Sequence, residues 1–215
     1  ERRPCRREYR SVRPGSALAP TERRPGRRAD LHPIGGFRGI GTLAGNRMAK
    51  SAEDGRQFPR PPQEFTDGDD RTVTLAAYDG ETEPLVAMYT DFDANSRSQG
   101  VPPRKESAIR EWVDGLVADG YNVVVHHDDR PVGHAVLMPV DDGAELAIFV
   151  HPDYQSAGIG TRLIEVLLGH GQETGVEHVW LAVSQRNHVA MRVYRSVGFE
   201  TRLREHVEIE MELDL

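Results

Sequence analysis

The chain has 215 residues, with 34 Asp and Glu against 27 Lys and Arg for a net charge of −7. No apolar run approaches the ~18 residues a membrane helix needs. A lone cysteine, Cys5, leaves neither an intrachain disulfide nor a cysteine-based metal site within one chain. The expectation is a soluble protein of the reducing cytoplasm, with neither a membrane nor a metal among its partners.

The charge is divided along the chain. Residues 1–50 carry 13 Lys and Arg against 4 Asp and Glu (+9), and residues 51–215 carry 14 against 30 (−16), which gives the total of −7. The basic segment is rich in Arg, Pro and Gly and poor in large apolar residues, so it is expected to be disordered. No apolar stretch follows Arg2-Arg3, Arg6-Arg7, Arg23-Arg24 or Arg27-Arg28, which excludes a secretory signal. No aromatic interleaving or folded platform accompanies that charge, so any nucleic-acid contact by this segment is expected to be non-specific, and nucleic acid is not expected as a partner of the folded domain. With Glu1 at the start and Met48 at the composition break, residues 1–47 are expected to be an over-extended or non-native leader. Residues 51–70, with Pro59, Pro61, Pro62, Asp67, Asp69 and Asp70, read as a linker. The globular domain is expected from about Arg71 onward, within 71–215. Its acidity, with only Lys50 and Lys105 as lysines, looks halophile-like.

Thr72–Tyr78 alternates as a first strand, and Glu83 to about Phe92 forms a short helix. After Pro102-Pro103, the stripe Ile109, Trp112, Val113, Leu116 and Val117 predicts a second helix. Tyr121–His127 and Pro131–Met138 form a hairpin turned at Asp128-Asp129. Adjacent His126 and His127 then face opposite sides of a strand and cannot share a metal. Leu146–Val150 is a buried strand. Ile159, Leu163, Ile164, Leu167 and Leu168 mark a helix to about His170, and Val179–Val183 is another strand. A helix capped by Asn187 stops at Gly198, and Phe199–Arg202 and Glu205–Asp214 close the chain as strands. The order is β-α-α-β-β-β-α-β-α-β-β, an α/β protein in the broad sense.

The segment joining the buried strand to its helix runs from Val150 through His151-Pro152-Asp153-Tyr154-Gln155-Ser156-Ala157-Gly158-Ile159-Gly160 to Thr161. Gly158 and Gly160 allow a tight turn and leave the helix-opening N–H groups uncovered, at the positive end of the helix dipole. An anion site follows, of the kind that takes phosphate. A P-loop would need Lys and Ser/Thr after Gly160, where Thr161-Arg162 stand, and a dinucleotide fingerprint would need a third glycine.

Gln155-x-x-Gly158-x-Gly160 resembles the pyrophosphate loop of the GCN5-related N-acetyltransferases, the GNAT family. About thirty residues on, Asn187-His188-Val189-Ala190-Met191-Arg192-Val193-Tyr194-Arg195-Ser196-Val197-Gly198-Phe199 is similar to the family segment N-x-x-A-x-x-x-Y-x-x-x-G-F. Two motifs in family order, each in the right setting, carry a resemblance that covers roughly residues 71–214.

The resemblance implies a GNAT fold, a mixed central sheet with flanking helices. Two parallel strands of that sheet splay apart, and the pantetheine of acetyl-CoA fills the gap. It places the backbone of Ile148, Phe149 and Val150 along the cofactor and the N–H groups of Gln155, Ser156, Ala157, Gly158, Ile159, Gly160 and Thr161 on the pyrophosphate. Asn187 and Tyr194 lie beside it. Ser156-Ala157 departs from the family's frequent Arg-Gly, which removes one side-chain phosphate contact and leaves the backbone donors. Tyr194 occupies the family's position for the acid that protonates the leaving thiolate, although Ala190 and Tyr194 also share a helix face as core residues would.

Glu145 is the candidate base. Its frame Glu145-Leu146-Ala147-Ile148-Phe149-Val150 resembles the E-F-A-x-x-V frame of Pat-type protein lysine acetyltransferases, where the glutamate serves as general base. A solvated carboxylate at a strand start is the other reading. The implied reaction is acetyl transfer from acetyl-CoA to a primary amine, a protein lysine first and a small-molecule amine second. A non-catalytic acyl-CoA-binding module is the third reading. The acceptor cleft is expected near Ser96–Lys105, in a monomer or homodimer.

Overall fold

The computed structural model describes residues 56–78, 80–92, 102–141, 143–204 and 207–215. The basic segment 1–50 and residues 96–101 of the expected acceptor stretch lie outside them. Strands β1 (Gln63–Thr66), β2 (Thr72–Ala77), β3 (Tyr121–His127), β4 (Arg130–Val140), β5 (Gly143–Val150), β6 (His178–Ser184), β7 (Glu200–Arg204) and β8 (Glu208–Asp214) form one sheet. Its order is β1-β2-β3-β4-β5-β6-β8-β7, and only β5 and β6 run parallel. Helices α1 (Glu83–Thr90) and α2 (Glu106–Asp119) precede β3, α3 (Ile159–Thr174) joins β5 to β6, and α4 (His188–Val197) follows β6. No described helix is long and apolar enough to cross a membrane.

Strand alternation divides the core between the two faces of the sheet. Val123, Val125, Ala135, Leu137, Ala144 and Leu146 pack with Leu163 and Leu167 of α3 and with Tyr194 and Val197 of α4. Val124, Val136 and Phe149 face Leu85 and Tyr89 of α1 and Ile109, Trp112 and Leu116 of α2. The β3–β4 hairpin turns where predicted: Asp128 and Asp129 both take left-handed φ, 49° and 61°, as a two-residue primed turn requires.

Two elements differ from expectation. The helix α3 continues past His170 to Thr174 and stops where Gly175 turns left-handed at φ 85°. The stop signal is that glycine rather than the end of the apolar stripe. Within the stretch read as a linker, Phe58 is buried and a Cβ on Gly169 of α3 would collide with the Pro59 carbonyl. There too β1 pairs with β2 from Gln63↔Leu75 to Thr66↔Thr72. The sheet therefore begins at Gln63, ahead of the Arg71 start read from sequence. Four residues, Gln-Glu-Phe-Thr, are too short and polar to announce a strand, and pairing with β2 decides the matter.

A buried polar chain ties α1 to the sheet. Asn122 Nδ2 donates to the carbonyls of Leu116 and Gly120 at 2.9 and 2.7 Å. Its Oδ1 therefore accepts from His134 Nε2–H at 2.9 Å, and His134 Nδ1 accepts the Tyr89 hydroxyl at 2.7 Å. Burial pushes His134 down to about 3, so the ring is neutral and every polar atom in the chain is satisfied. Tyr89→Phe removes the donor to a buried nitrogen and is expected to cost about 1–3 kcal/mol of stability. Denaturant unfolding checks this, and a change below ~0.5 kcal/mol would assign the chain no structural weight.

Candidate active site

The site is built around a fault in the sheet. Strand β5 pairs with β4 along all of Gly143–Val150, but with β6 only at Ala144↔Val179 and Glu145↔Trp180. Beyond that point the two parallel strands part. Among the described residues the edge of Leu146–Val150 that faces β6 has no ladder partner, and such an edge requires hydrogen-bonding partners. Ile148, Phe149 and Val150, half-buried, buried and half-buried, line this opening.

At its end β5 enters a short 3₁₀ turn, Pro152–Tyr154, and then the glycine loop. Gln155 is tied back by its Nε2 to the Val150 carbonyl at 3.0 Å. Ser156 and Gly158 take left-handed φ of 64° and 86°, which curls the chain into α3. Ala157 is buried and its carbonyl accepts the Gly68 N–H at 2.9 Å, while Ile159 anchors the helix in the core. The N–H groups of Gly158, Ile159, Gly160 and Thr161 find no backbone acceptor among the described residues. A Cβ on Gly158 or Gly160 would meet nothing within 4 Å. The loop thus presents uncovered donors at the positive end of a 16-residue helix, an arrangement suited to a phosphate.

The second motif forms α4 as predicted. The Asn187 side chain is exposed, and its Oδ1 accepts the Ala190 N–H at 3.1 Å, so that oxygen is committed to capping the helix. Gly198 ends the helix at φ 119°. Tyr194 is buried against Phe199, ring centroids 5.8 Å apart, in the cluster shared with α3. Burial pushes its hydroxyl up to about 12, so it keeps its proton at neutral pH.

Glu145 is the last paired residue before the strands part. Because β5 starts at Gly143, Glu145 lies inside the strand and is only 9% exposed, unlike a solvated strand-start carboxylate. Across the ladders it stands between Met138 and Trp180, on the face of the sheet that carries α1 and α2. Among the described residues no cation pairs with it, and burial pushes its pKa up to about 8 from 4.5. Glu145 and Tyr194 therefore lie on opposite faces of the sheet.

A raised carboxylate pKa makes a stability prediction. The folded state holds the Glu145 proton more tightly, so its contribution is complete below about 4.5 and is lost as pH rises through about 8. Across that window wild-type unfolding free energy should fall relative to Glu145→Gln, by at most ~1.4 kcal/mol per pH unit. Parallel pH profiles of the two proteins would contradict the burial of this carboxylate.

Two residues without a signature in the sequence hold the glycine loop from outside. Arg71 donates to the Asp153 carbonyl at 3.0 Å, and His127 Nδ1 meets the Tyr154 hydroxyl at 2.9 Å. No local motif marks them, because their partners are about 80 and 27 positions away.

The chain matches the model of the Acetyltransferase (GNAT) family over residues 85–199. That span runs from α1 through the opening and the glycine loop to the end of α4. It is 30% identical over 168 residues to a mycothiol acetyltransferase of Saccharomonospora viridis, covering 71% of this chain and 51% of that protein. It is 38% identical over 79 residues to the [ribosomal protein bS18]-alanine N-acetyltransferase of Salmonella typhimurium, covering 36% of this chain and 53% of that protein. The chain spans about half the length of the curated relatives it matches. Among solved structures, the GNAT domain of S. lividans PAT superposes with a TM-score of 0.63 at 19% identity, over 72% of this chain and 97% of that domain. That likeness is one of fold. The splayed pair, the glycine loop at the start of α3 and the capped α4 fall together inside the matched span, and the chain belongs to the acetyltransferase (GNAT) family.

Proposed function

We propose that the protein transfers the acetyl group of acetyl-CoA to a primary amine, and that the acceptor is a protein lysine. The observation that carries the reading is the opening beyond Glu145 and Trp180, which ends at the uncovered donors of Gly158–Thr161. An extended chain with amide groups satisfies the free edge of Leu146–Val150, and a pyrophosphate satisfies the loop. Pantetheine joined to a nucleotide diphosphate has both parts in that order.

In the reaction an amine N–C bond forms and the thioester C–S bond breaks. Counted from the ammonium, two protons leave nitrogen, one before attack and one released to solvent as the amide forms, while one proton reaches sulfur. A lysine amine with a pKa near ~10.4 must first lose a proton. Glu145, titrating at about 8, accepts it once ionised, close to the operating pH where a general base is most effective. Tyr194 retains its hydroxyl proton and supplies it toward the departing sulfur from the other face of the sheet, to be reprotonated from solvent. The Gly158–Thr161 N–H groups hold the diphosphate and so fix the thioester in the opening.

Protein lysine as acceptor is supported by the frame Glu145–Val150, which resembles that of Pat-type enzymes. A small-molecule amine is the second reading, favoured by the 168-residue match to a mycothiol acetyltransferase. The two are separated by incubating the protein with acetyl-CoA and either lysine-containing proteins or a set of polyamines, amino acids and aminoglycosides, with mass spectrometry of the products. Acetyl groups on lysine side chains are expected. Acetylation confined to the small amines would replace the first reading by the second.

A further inference from the structure

We propose that Arg71 is a positioning residue that holds the glycine loop, from outside it, in its phosphate-receiving shape. This inference rests on the reading of that loop as the CoA site. It begins with the turn between β1 and β2. The Asp67 side chain is fully buried and accepts from the N–H groups of Asp69 and Arg71 at 2.9 and 3.0 Å and from Arg71 Nε at 2.7 Å. Burial alone would raise this carboxyl, but those hydrogen bonds and the Arg71 charge outweigh it and hold it below the usual range. The Arg71 guanidinium is thereby anchored on a buried anion.

From that anchor it reaches the other segment. Its Nη1 donates to the Asp153 carbonyl at 3.0 Å, and its Nη2 donates to Asp69 Oδ2 at 2.9 Å. Its plane covers the Tyr154 ring, 4.2 Å from the centroid. The far end of that ring is held by the bond to His127. The same turn also grips the loop a second time, because Gly68 N–H donates to the Ala157 carbonyl. A Cβ on Gly68 would stand 3.3 Å from the Ala157 Cα. One five-residue turn thus pins the chain at residues 153–154 and at 157, on either side of the bend at Gln155-Ser156.

The loop needs this hold for a specific reason. Ser156-Ala157 contributes no cation, so phosphate affinity must come from backbone donors, whose value depends on being arranged before the ligand arrives. Each nitrogen of Arg71 already has a protein acceptor, so the guanidinium is held against the loop and the buried turn, and its effect on the ligand is exerted through the loop. Only a planar fork can grip a carboxylate and a carbonyl while stacking on a ring, which a lysine cannot reproduce.

The test compares wild type, Arg71→Ala, Arg71→Lys and Tyr154→Leu by CoA calorimetry, steady-state kinetics and thermal melting. Arg71→Ala is expected to raise both the CoA Kd and the acetyl-CoA KM about tenfold through lost preorganisation. Saturated kcat and the amine KM are expected to stay at wild-type values. Arg71→Lys and Tyr154→Leu are expected to shift the same two quantities by less. A role in general stability would lower the melting temperature without separating acetyl-CoA KM from kcat. Wild-type CoA affinity in folded Arg71→Ala overturns the proposal. Should that variant not fold, wild-type affinity in both Arg71→Lys and Tyr154→Leu overturns it. Wild-type protein that binds no CoA overturns instead the reading of the loop on which the proposal stands.

Discussion

Glu145→Gln is expected to lower turnover by roughly 10²–10⁴-fold, the range for loss of a general base, while CoA affinity stays at the wild-type value. The expectation follows from position and environment. Glu145 closes the paired part of β5 and β6, its side chain is buried beside Trp180, and its pKa of about 8 leaves it able to take a proton near neutrality. The wild-type rate should accordingly climb as pH rises through about 8, because only the ionised carboxylate accepts the amine's proton. In the Gln variant that step is gone. Its residual rate should keep climbing at high pH, as the acceptor amine with pKa near ~10.4 loses its own proton. Near-wild-type turnover with an unchanged pH profile would remove Glu145 from the chemistry. Tyr194→Phe is the matching change on the other face, and Phe keeps the packing against Phe199, so its loss should appear in turnover more than in melting temperature.

Gly158→Asp is expected to weaken CoA binding by about 100-fold or more, the ~2.7 kcal/mol of a lost charge-assisted contact plus a repulsive one. At φ 86° the left-handed conformation strains most side chains, but Asp tolerates it better than others. The Cβ meets nothing within 4 Å, so the fold should survive. What changes is the site: a carboxylate enters the space before the Gly158–Thr161 donors and competes with the phosphate for the helix's positive end. Gly158→Ala carries the backbone strain without the charge and separates the two effects. CoA affinity equal to wild type in folded Gly158→Asp would contradict the assignment of the loop.

The part of this site that could be read from sequence is the part written locally. Gly158 and Gly160 between an apolar strand and an amphipathic stripe announce a strand, a tight turn and a helix start within a few residues. Asn187 and Gly198 likewise bracket α4 by capping chemistry that acts over one turn. The parting of β5 from β6 followed only from the family resemblance, because nothing in Leu146–Val150 distinguishes an unpaired edge from a paired one. The burial of Glu145 was open in the sequence, since β5 begins two residues before it, at a glycine that reads as a loop. The brace from Asp67 and Arg71 was hidden altogether. A Pro-rich acidic stretch looks like a linker until the buried carboxylate of Asp67 finds Arg71 and its short strand finds β2. The same holds for His134, which stands in an apolar strand and gains its meaning from Tyr89 and Asn122 on other elements.

Acetyl transfer from acetyl-CoA to an amine at the opening between β5 and β6 is open to a direct test by turnover itself. The most direct measurement incubates the purified full chain with acetyl-CoA and the full range of amines, and follows thiol release together with the mass of every acceptor. Free CoA is expected to be released in step with acetylated amine, and both are expected to fall by roughly 10²–10⁴-fold in Glu145→Gln. Acetyl-CoA that binds but is never consumed above the buffer blank, with no acceptor gaining an acetyl group, would contradict it and leave a module that binds acyl-CoA without chemistry.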